Sequence, residues 1–219
     1  MRSRTPEDLS GRCPACYLPT AFCLCADVPR VDTRTDLLVI RHNKEANKST
    51  NTARLAALAL PRCRVLTYGA PGQPPFDVSV LAAPDTWLLF PDAQPPPPGT
   101  PPPQRLVVLD GNWTQARRMY QRLPELRRLP GLALPPPAPD TRRLRRSPHP
   151  YGMSTLEAIA AALGVLEGED IARPLQDIHE LMIDRVLACR GRIPDDDRDS
   201  PRKTMARLLE PPGAKKRAM

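Results

Sequence analysis

Residues 105–118 read RLVVLDGNWTQARR, and this stretch decides the fold class of the chain. The continuous apolar run over 106–109 is typical of a strand that is buried on both faces of a parallel sheet. An acid, Asp110, stands at the carboxyl end of this strand. Because ligands of open α/β sheets bind in crevices at the carboxyl ends of the strands, Asp110 is the candidate catalytic residue.

The residues after this acid predict a tight turn into a helix. Gly111 permits the turn, and Asn112 with Gln115 three residues later has the spacing of a capping box. Apolar and aromatic residues then recur at intervals of three and four over about 113–123, which favours an amphipathic helix. A carboxylate and a helix N-terminus are therefore expected at one strand end.

Other apolar segments predict further strands and helices. The strands are expected at 36–41, 64–69, 86–90 and, as a short segment, 131–134. Helical spacing of apolar residues predicts further helices at 52–60, 154–168 and 175–189. Strands that alternate with helices favour an α/β fold, with a mostly parallel sheet that helices cover on both faces.

The length of 219 residues allows one α/β domain with a small appendage. We divide the chain into a cysteine-rich unit at 1–30, a catalytic domain at 31–192 and a tail at 193–219 that is predicted to be disordered. The 30 prolines include the run QPPPPGTPPPQ, so residues 94–104 are predicted to be a surface loop.

Two absences bear on where the protein works. No apolar stretch approaches the length of a membrane span, and the N-terminus, MRSRTPEDLSGR, contains no secretory signal. The sequence therefore predicts a cytoplasmic protein with no membrane partner. Neither observation determines the oligomeric state.

Positive charge is concentrated in one segment of the chain. The formal net charge is +8, and residues 117–146 contain nine arginines against two acids, Glu125 and Asp140. A concentration of guanidinium groups is typical of proteins that bind a phosphate backbone. The alternative is a solvated surface in a chain biased toward arginine, since only five of the 32 basic residues are lysine.

Four cysteines near the N-terminus predict a structural metal site. Cys13, Cys16, Cys23 and Cys25 follow the spacing C-x2-C-x6-C-x-C. In a reducing compartment, four thiolates this close together favour tetrahedral Zn²⁺ in a closed site that leaves no position for a substrate. Free or disulfide-paired thiols are the alternative.

The segment LDGNWTQARRM, at 109–119, resembles the signature of the DTW-domain proteins, which are named for an Asp-x-Thr-Trp motif. Asn112 stands where the motif has threonine, and asparagine caps a helix as well as threonine does. If the threonine hydroxyl instead contacts substrate, the difference would alter activity.

Other segments resemble the family in the same order along the chain. They are the four-cysteine unit, HNKEANKSTNTARLAALAL (42–60), WLLFPDA (87–93), LRRSP (144–148) and STLEAIAAAL (154–163).

This resemblance implies a tRNA-uridine aminocarboxypropyltransferase. Such an enzyme transfers the 3-amino-3-carboxypropyl group of S-adenosylmethionine to N3 of a uridine in tRNA. The resemblance also implies a SPOUT-like α/β fold, in which loops at the carboxyl ends of adjacent strands bind the cofactor, often within a trefoil knot.

Two other functions are open from the sequence alone. An RNA methyltransferase of the same fold would bind the same cofactor and would differ in which carbon faces the nucleophile. A non-catalytic, zinc-stabilised RNA-binding protein would account for the arginines and the cysteines, but it would need no acid at a strand end.

The predicted cofactor site is formed by three segments at strand ends and helix starts. Its residues are Phe90, Pro91 and Asp92, then Leu109, Gly111 and Trp113, and finally Met153 and Ser154. Trp113 is expected either to stack on a base or to pack in the core. Ser154 and Glu157 have the spacing of a second capping box, and the backbone N–H of Ser154 is a candidate donor to a ligand carboxylate.

The predicted roles in chemistry and RNA binding complete the site. Asp110 is expected to act as general base for the weakly acidic N3 proton or to orient N3 without removing that proton. The other alternative is a structural aspartate that binds the amides of its own turn. The predicted RNA-binding residues are Glu45, Lys48, Asn51, Arg145 and Arg146. The two arginines are also suited to bind the cofactor carboxylate in bidentate geometry.

Overall fold

The computed structural model describes residues 9–138, 141–144, 149 and 151–191. Two predictions lie outside these residues, namely the binding role of Arg145 and Arg146 and the tail at 193–219. All other residues predicted for the site are described.

Five parallel strands form one sheet in the order β2-β1-β4-β3-β5. They are β1 (Asp36–His42), β2 (Cys63–Tyr68), β3 (Thr86–Leu89), β4 (Arg105–Asp110) and β5 (Gly131–Leu132). The predicted α/β fold with a parallel sheet is confirmed. β5 is shorter than the predicted 131–134 because its partner β3 ends at Leu89, and the chain then turns at Pro91.

β4 lies at the centre of the sheet, between β1 and β3. Its residues from Leu106 to Asp110 are all buried, as expected for a strand with helices on both faces. Parallel pairing with β1 brings Arg41 beside Asp110. The carboxyl ends of β1 and β4 therefore lie together at one edge of the sheet.

Five α-helices within the described residues connect and cover the strands. They are α1 (Thr52–Ala59), α2 (Trp113–Arg122), α3 (Pro124–Arg128), α4 (Thr155–Glu167) and α5 (Glu169–Cys189). The sequence pattern does not predict α3, because five residues are too few to show a period. α3 depends on Pro124 at its first position and on the complete burial of Leu126.

α5 begins at Glu169, well before the predicted start at 175. Proline predicts a helix boundary because it lacks an N–H, but Pro174 stands near the start of α5, where it removes a single helical hydrogen bond. Close packing on α4 outweighs this loss. Ala172 is fully buried, and a Cβ added to Gly164 of α4 would lie 3.3 Å from its Cβ.

Helices cover both faces of the sheet, as predicted. On one face Val39 and Val108 pack with α1, α4 and α5. On the other face Ile40 and Leu109 pack with α2 and α3. No helix in the described part of the chain combines the length and the apolar character that a membrane crossing requires.

Candidate active site

A cavity of about 300 Å³ opens at the carboxyl ends of β1, β3 and β4. The loops after these strands form part of its wall. Other parts come from the starts of α1, α2 and α4, from β5 and the segment after it, from the residues before α4 and from one side chain of α5. Parallel α/β sheets bind their ligands in this position. This cavity is therefore the candidate active site.

The structure brings most of the predicted site residues to this cavity. Those that line it are Glu45, Asn51, Phe90, Pro91, Leu109, Asp110, Gly111, Trp113, Met153 and Ser154. Asp92 is exposed and does not line the cavity, and its backbone carbonyl accepts a hydrogen bond from Tyr120. Lys48 does not line the cavity either, but it contacts Glu45.

Asp110 is buried in the cavity wall, with 4% of its surface exposed. Asn51 Nδ2 donates a hydrogen bond to its Oδ2 at 2.6 Å, and Thr155 Oγ1 donates to its Oδ1 at 2.5 Å. Both donors are side chains of other segments, rather than backbone amides of its own turn. Burial raises the pKa of Asp110 above its usual range, although the two hydrogen bonds lower it in part. The carboxyl group is therefore a stronger base than an exposed aspartate.

Asn51 connects Asp110 to the start of α1. Its Oδ1 accepts a hydrogen bond from the backbone N of Arg54 at 3.1 Å and so caps the helix, while its Nδ2 donates a hydrogen bond to Asp110. Only 6% of Asn51 is exposed. Its amide group thus caps the helix and positions the acid, and its predicted contact with RNA stays a prediction.

A second carboxylate, Glu45, also lines the cavity. It is buried at the end of a 3-10 turn, Asn43–Glu45, and Lys48 Nζ lies 2.5 Å from its Oε1. The negative charge of Glu45 contributes to the raised pKa of Asp110. We call Glu45, Asn51, Asp110 and Thr155 the polar end of the cavity.

The turn between β4 and α2 has the predicted geometry. Asn112 Oδ1 accepts a hydrogen bond from Gln115 N at 2.9 Å, and Gln115 Oε1 accepts one from Asn112 N at 2.7 Å. This arrangement confirms the capping box and the capping role of Asn112. Glycine is needed at 111, because a Cβ there would lie 2.9 Å from the Cβ of Gln115.

A row of aromatic rings runs beside the cavity. Trp113 stacks with Phe90 at a centroid distance of 5.6 Å and with His149 at 3.7 Å. Tyr120 contacts Phe90, and Tyr151 contacts His149, so the row extends at both ends. The stacking partners of Trp113 are therefore side chains of the same chain, and Trp113 is only partly buried.

The capping box at the start of α4 is also confirmed. Ser154 Oγ accepts a hydrogen bond from Glu157 N at 3.2 Å, and Ser154 N donates to Glu157 Oε2 at 3.0 Å. The N–H that was expected to meet a ligand carboxylate is thus used within the cap. Ser154 Oγ also lies 2.9 Å from His179 Nε2, in a buried position that lowers the pKa of His179.

The part of the cavity wall that lies at the β3 and β5 edge of the sheet is apolar. Phe90 follows β3, while Leu132 and Leu134 belong to β5 and the segment after it, and we call these three residues the apolar end. Arg143 also lines the cavity. Its Nη2 lies 3.0 Å from a Glu157 carboxylate oxygen, but its buried Nε has no hydrogen-bond partner within the described part of the chain. A buried donor without a partner is a contact point for an acceptor atom of a ligand.

The four cysteines of the predicted metal site come together. Their Sγ atoms all lie within 4.8 Å of one another, and those of Cys16 and Cys23 are 3.8 Å apart. Tetrahedral ligation at ~2.3 Å from Zn²⁺ requires sulfur atoms about 3.8 Å apart, so the set fits this ion. No two of the six cysteines are joined by a disulfide bond, so free thiols are the remaining alternative to a metal site.

One arginine links the cysteine-rich unit to the polar end of the cavity. The guanidinium carbon of Arg54 lies 3.4 Å from the centre of the Tyr17 ring. The same guanidinium donates hydrogen bonds to the carbonyls of Ala46 and Lys48, in the loop that follows Glu45. The unit therefore supports this loop, through a contact that no sequence pattern predicts.

Several curated proteins are similar to this chain. The "tRNA-uridine aminocarboxypropyltransferase 2" of Drosophila melanogaster is 27% identical, over 83% of this chain and 79% of that protein. The protein of the same name from Macaca fascicularis is 28% identical, over 78% of this chain and 63% of its own length. The "tRNA-uridine aminocarboxypropyltransferase A" of Arabidopsis thaliana is 27% identical, over 78% of this chain and 79% of that protein. No solved structure matches the chain.

The profile of the DTW domain matches residues 10–187. The matched range contains the four cysteines, all five strands and every residue that lines the cavity. It spans most of the 219 residues. The chain therefore belongs to the DTW domain family.

Proposed function

We propose that the protein is a tRNA-uridine aminocarboxypropyltransferase, with S-adenosylmethionine as donor and N3 of a uridine as acceptor. One observation carries the proposal: Asp110, a buried acid with a raised pKa, lines a cavity at the strand ends of a DTW domain. The names of the fly, macaque and Arabidopsis relatives support the reaction class.

The lining of the cavity fits the proposed donor. The apolar end would pack against adenine, and the unpartnered Nε of Arg143 would donate to an acceptor oxygen. When bound, S-adenosylmethionine supplies an electrophilic Cγ attached to a positively charged sulfur. The remaining predicted contacts that line the cavity would hold this group against the acceptor base; they are Pro91, Leu109, Gly111, Trp113, Met153 and Ser154. Such positioning can be worth an effective molarity of about 10⁵–10⁸ M.

Asp110 would act as the general base. Its raised pKa brings the carboxylate closer to the basicity that removal of the N3 proton requires. Asp110 would accept this proton as the N3–Cγ bond forms and the Cγ–S bond breaks, with methylthioadenosine as the leaving group. Asn51 and Thr155 would keep the carboxylate oriented, because each of them holds one of its oxygens.

The fold, the metal site and the RNA side of the cavity belong to the same proposal. The strand order and the position of the cavity support a SPOUT-like fold, and the trefoil knot stays a prediction. Cys13, Cys16, Cys23 and Cys25 would hold a structural Zn²⁺ in a closed site, away from the chemistry. Glu45 and Lys48 would border the RNA side of the cavity.

The labelled donor provides the decisive test. Unmodified tRNA is incubated with the protein and with S-adenosylmethionine that carries the label in its carboxyl carbon. We expect label in the RNA, and a uridine whose mass has increased by an aminocarboxypropyl group. A methyl mass increase would favour an RNA methyltransferase, and tight RNA binding without any modification would favour a non-catalytic RNA-binding protein.

A further inference from the structure

The outer surface of α2 and α3 is strongly basic. Its five exposed arginines, which we call the basic ridge, are Arg117, Arg118, Arg122, Arg127 and Arg128. Glu125 is the only acid on the two helices. Among the described residues, no carboxylate forms an ion pair with any of the five arginines. The arginine bias of the chain does not explain this, because arginines elsewhere, such as Arg62 and Arg142, do have acidic partners.

Helix periodicity places the ridge on one side. Ala116 and Met119 are buried against the sheet, and residues 117, 118 and 122 occupy the opposite arc of a 3.6-residue helix. Nothing in the fold requires this arc to be cationic. A run of guanidinium groups without carboxylate partners on one surface repels itself and is suited to a polyanion, although Arg127 Nη1 donates a hydrogen bond to the Gln121 carbonyl.

The ridge starts one helical turn beyond the candidate active site. Trp113, the first residue of α2, lines the cavity, and α2 carries the ridge away from it over about 15 Å. Burial lowers the pKa of His42, at the carboxyl end of β1; the charge of Glu45 raises it, and the charges of Lys44, Lys48 and Arg118 lower it further. Arg118 of the ridge is therefore close enough to the end of β1, beside the cavity, to act on this ring.

The helix on the opposite face of the sheet has the opposite character. α5 carries five carboxylates against two arginines. The acids are Glu169, Asp170, Asp177, Glu180 and Asp184. Glu180 and Asp184 pair with Arg142, but α5 still carries more acids than arginines. Because α5 and α2 lie on different faces of the sheet, a polyanion is attracted more strongly to the face that carries α2.

We propose that the basic ridge is the docking surface for the phosphate backbone of the substrate RNA, with the target base directed into the cavity past Trp113. This inference rests on the proposed function, since it takes the RNA to be the substrate of the same cavity. The guanidinium groups bind phosphates on one side of the target nucleotide, and they contribute affinity and orientation rather than sequence preference.

The test compares two variants that each lose three arginines. The ridge variant carries Arg117→Gln, Arg118→Gln and Arg122→Gln. The control carries Arg30→Gln, Arg34→Gln and Arg62→Gln, three exposed positions that precede β1 and β2 at the amino-terminal edge of the sheet. The affinity of each full-length variant for unmodified tRNA is measured across a salt series.

We expect the ridge variant to lose affinity by at least about tenfold and the salt slope to fall by about two, since each lost phosphate contact removes ~0.7–0.9 from the slope. The control should keep the slope of the unaltered protein. Equal slopes in all three proteins, or a loss confined to the control, would overturn the proposal. Binding of the unaltered protein to anionic phosphatidylserine vesicles but not to tRNA would overturn it as well.

The labelled-donor assay separates this proposal from the proposed function. If the ridge docks RNA, the ridge variant shows a raised KM for tRNA, an unchanged kcat and unchanged affinity for S-adenosylmethionine. Normal transfer by the unaltered protein with a normal KM in the ridge variant would reject the ridge and leave the function intact. Ridge-dependent tRNA binding without transfer would support the ridge and reject the function.

Discussion

The two ends of the cavity are built from neighbouring strands but differ in chemistry. The polar end follows β1 and β4 and holds two buried carboxylates, while the apolar end follows β3 and β5 and offers only apolar side chains. In the proposed function, a ligand with an apolar ring system and a reactive polar arm would place its rings at the apolar end and its arm at the polar end. The apolar end would then provide affinity and the polar end chemistry.

Substitution of the buried acid should have the largest effect and should act on chemistry alone. We expect Asp110→Asn to lower the rate of transfer by ~10²- to 10⁴-fold, because general-base catalysis contributes about that much, while tRNA affinity changes by a few-fold at most. Asp92→Asn, on the exposed neighbouring loop, is the matched control. Turnover of Asp110→Asn equal to that of the control would remove the base role.

A change at β5 should damage the apolar end instead. A Cβ added to Gly131 would lie 2.2 Å from the Cβ of Ala93, so we expect Gly131→Ala to cost about 1–3 kcal/mol of unfolding free energy by overpacking. Affinity for S-adenosylmethionine should fall with it. The addition of Ala93→Gly should restore both in part, and a double variant no better than the single one would argue against this packing.

Loss of one hydrogen bond to Asp110 should shift the pH dependence of the transfer reaction. Thr155 lowers the pKa of Asp110 through its hydrogen bond, so Thr155→Val should raise this pKa further. Because the base must be unprotonated, the acid limb of the kcat profile should move to higher pH, and kcat at pH 7 should fall. Thr114→Val, exposed on α2, should leave the profile unchanged. A limb that moves to lower pH would contradict this assignment.

The smallest effect is expected from loss of the contact between Tyr17 and Arg54, which supports the loop after Glu45 at the polar end of the cavity. Tyr17→Leu removes a cation–π contact to Arg54 that is worth about 0.5–2 kcal/mol, so the loop after Glu45 should loosen and KM for tRNA should rise a few-fold. Zinc content should not change, and Tyr17→Phe should behave like the unaltered protein. If KM for tRNA stays constant in Tyr17→Leu, the contact does not support the site.

Local patterns predicted much of the fold and the centre of the site. The apolar run at 106–109 and the caps at Asn112 and Ser154 were readable because strand burial and helix capping depend on residues close in sequence. α3 and the early start of α5 were not predicted. In both cases packing against another element decides the structure, namely the burial of Leu126 in the core and of Ala172 on α4.

The sequence by itself determined where the chemically active residues stand along the chain. They are the acid at the end of β4, the four cysteines and the arginine-rich stretch. Only the tertiary structure decided which groups act on that acid. Asn51 and Thr155 lie 59 and 45 residues from Asp110, and His179 lies 25 residues from Ser154. Residue spacing reports local geometry, whereas burial and the partners that set a pKa depend on how the sheet and helices pack.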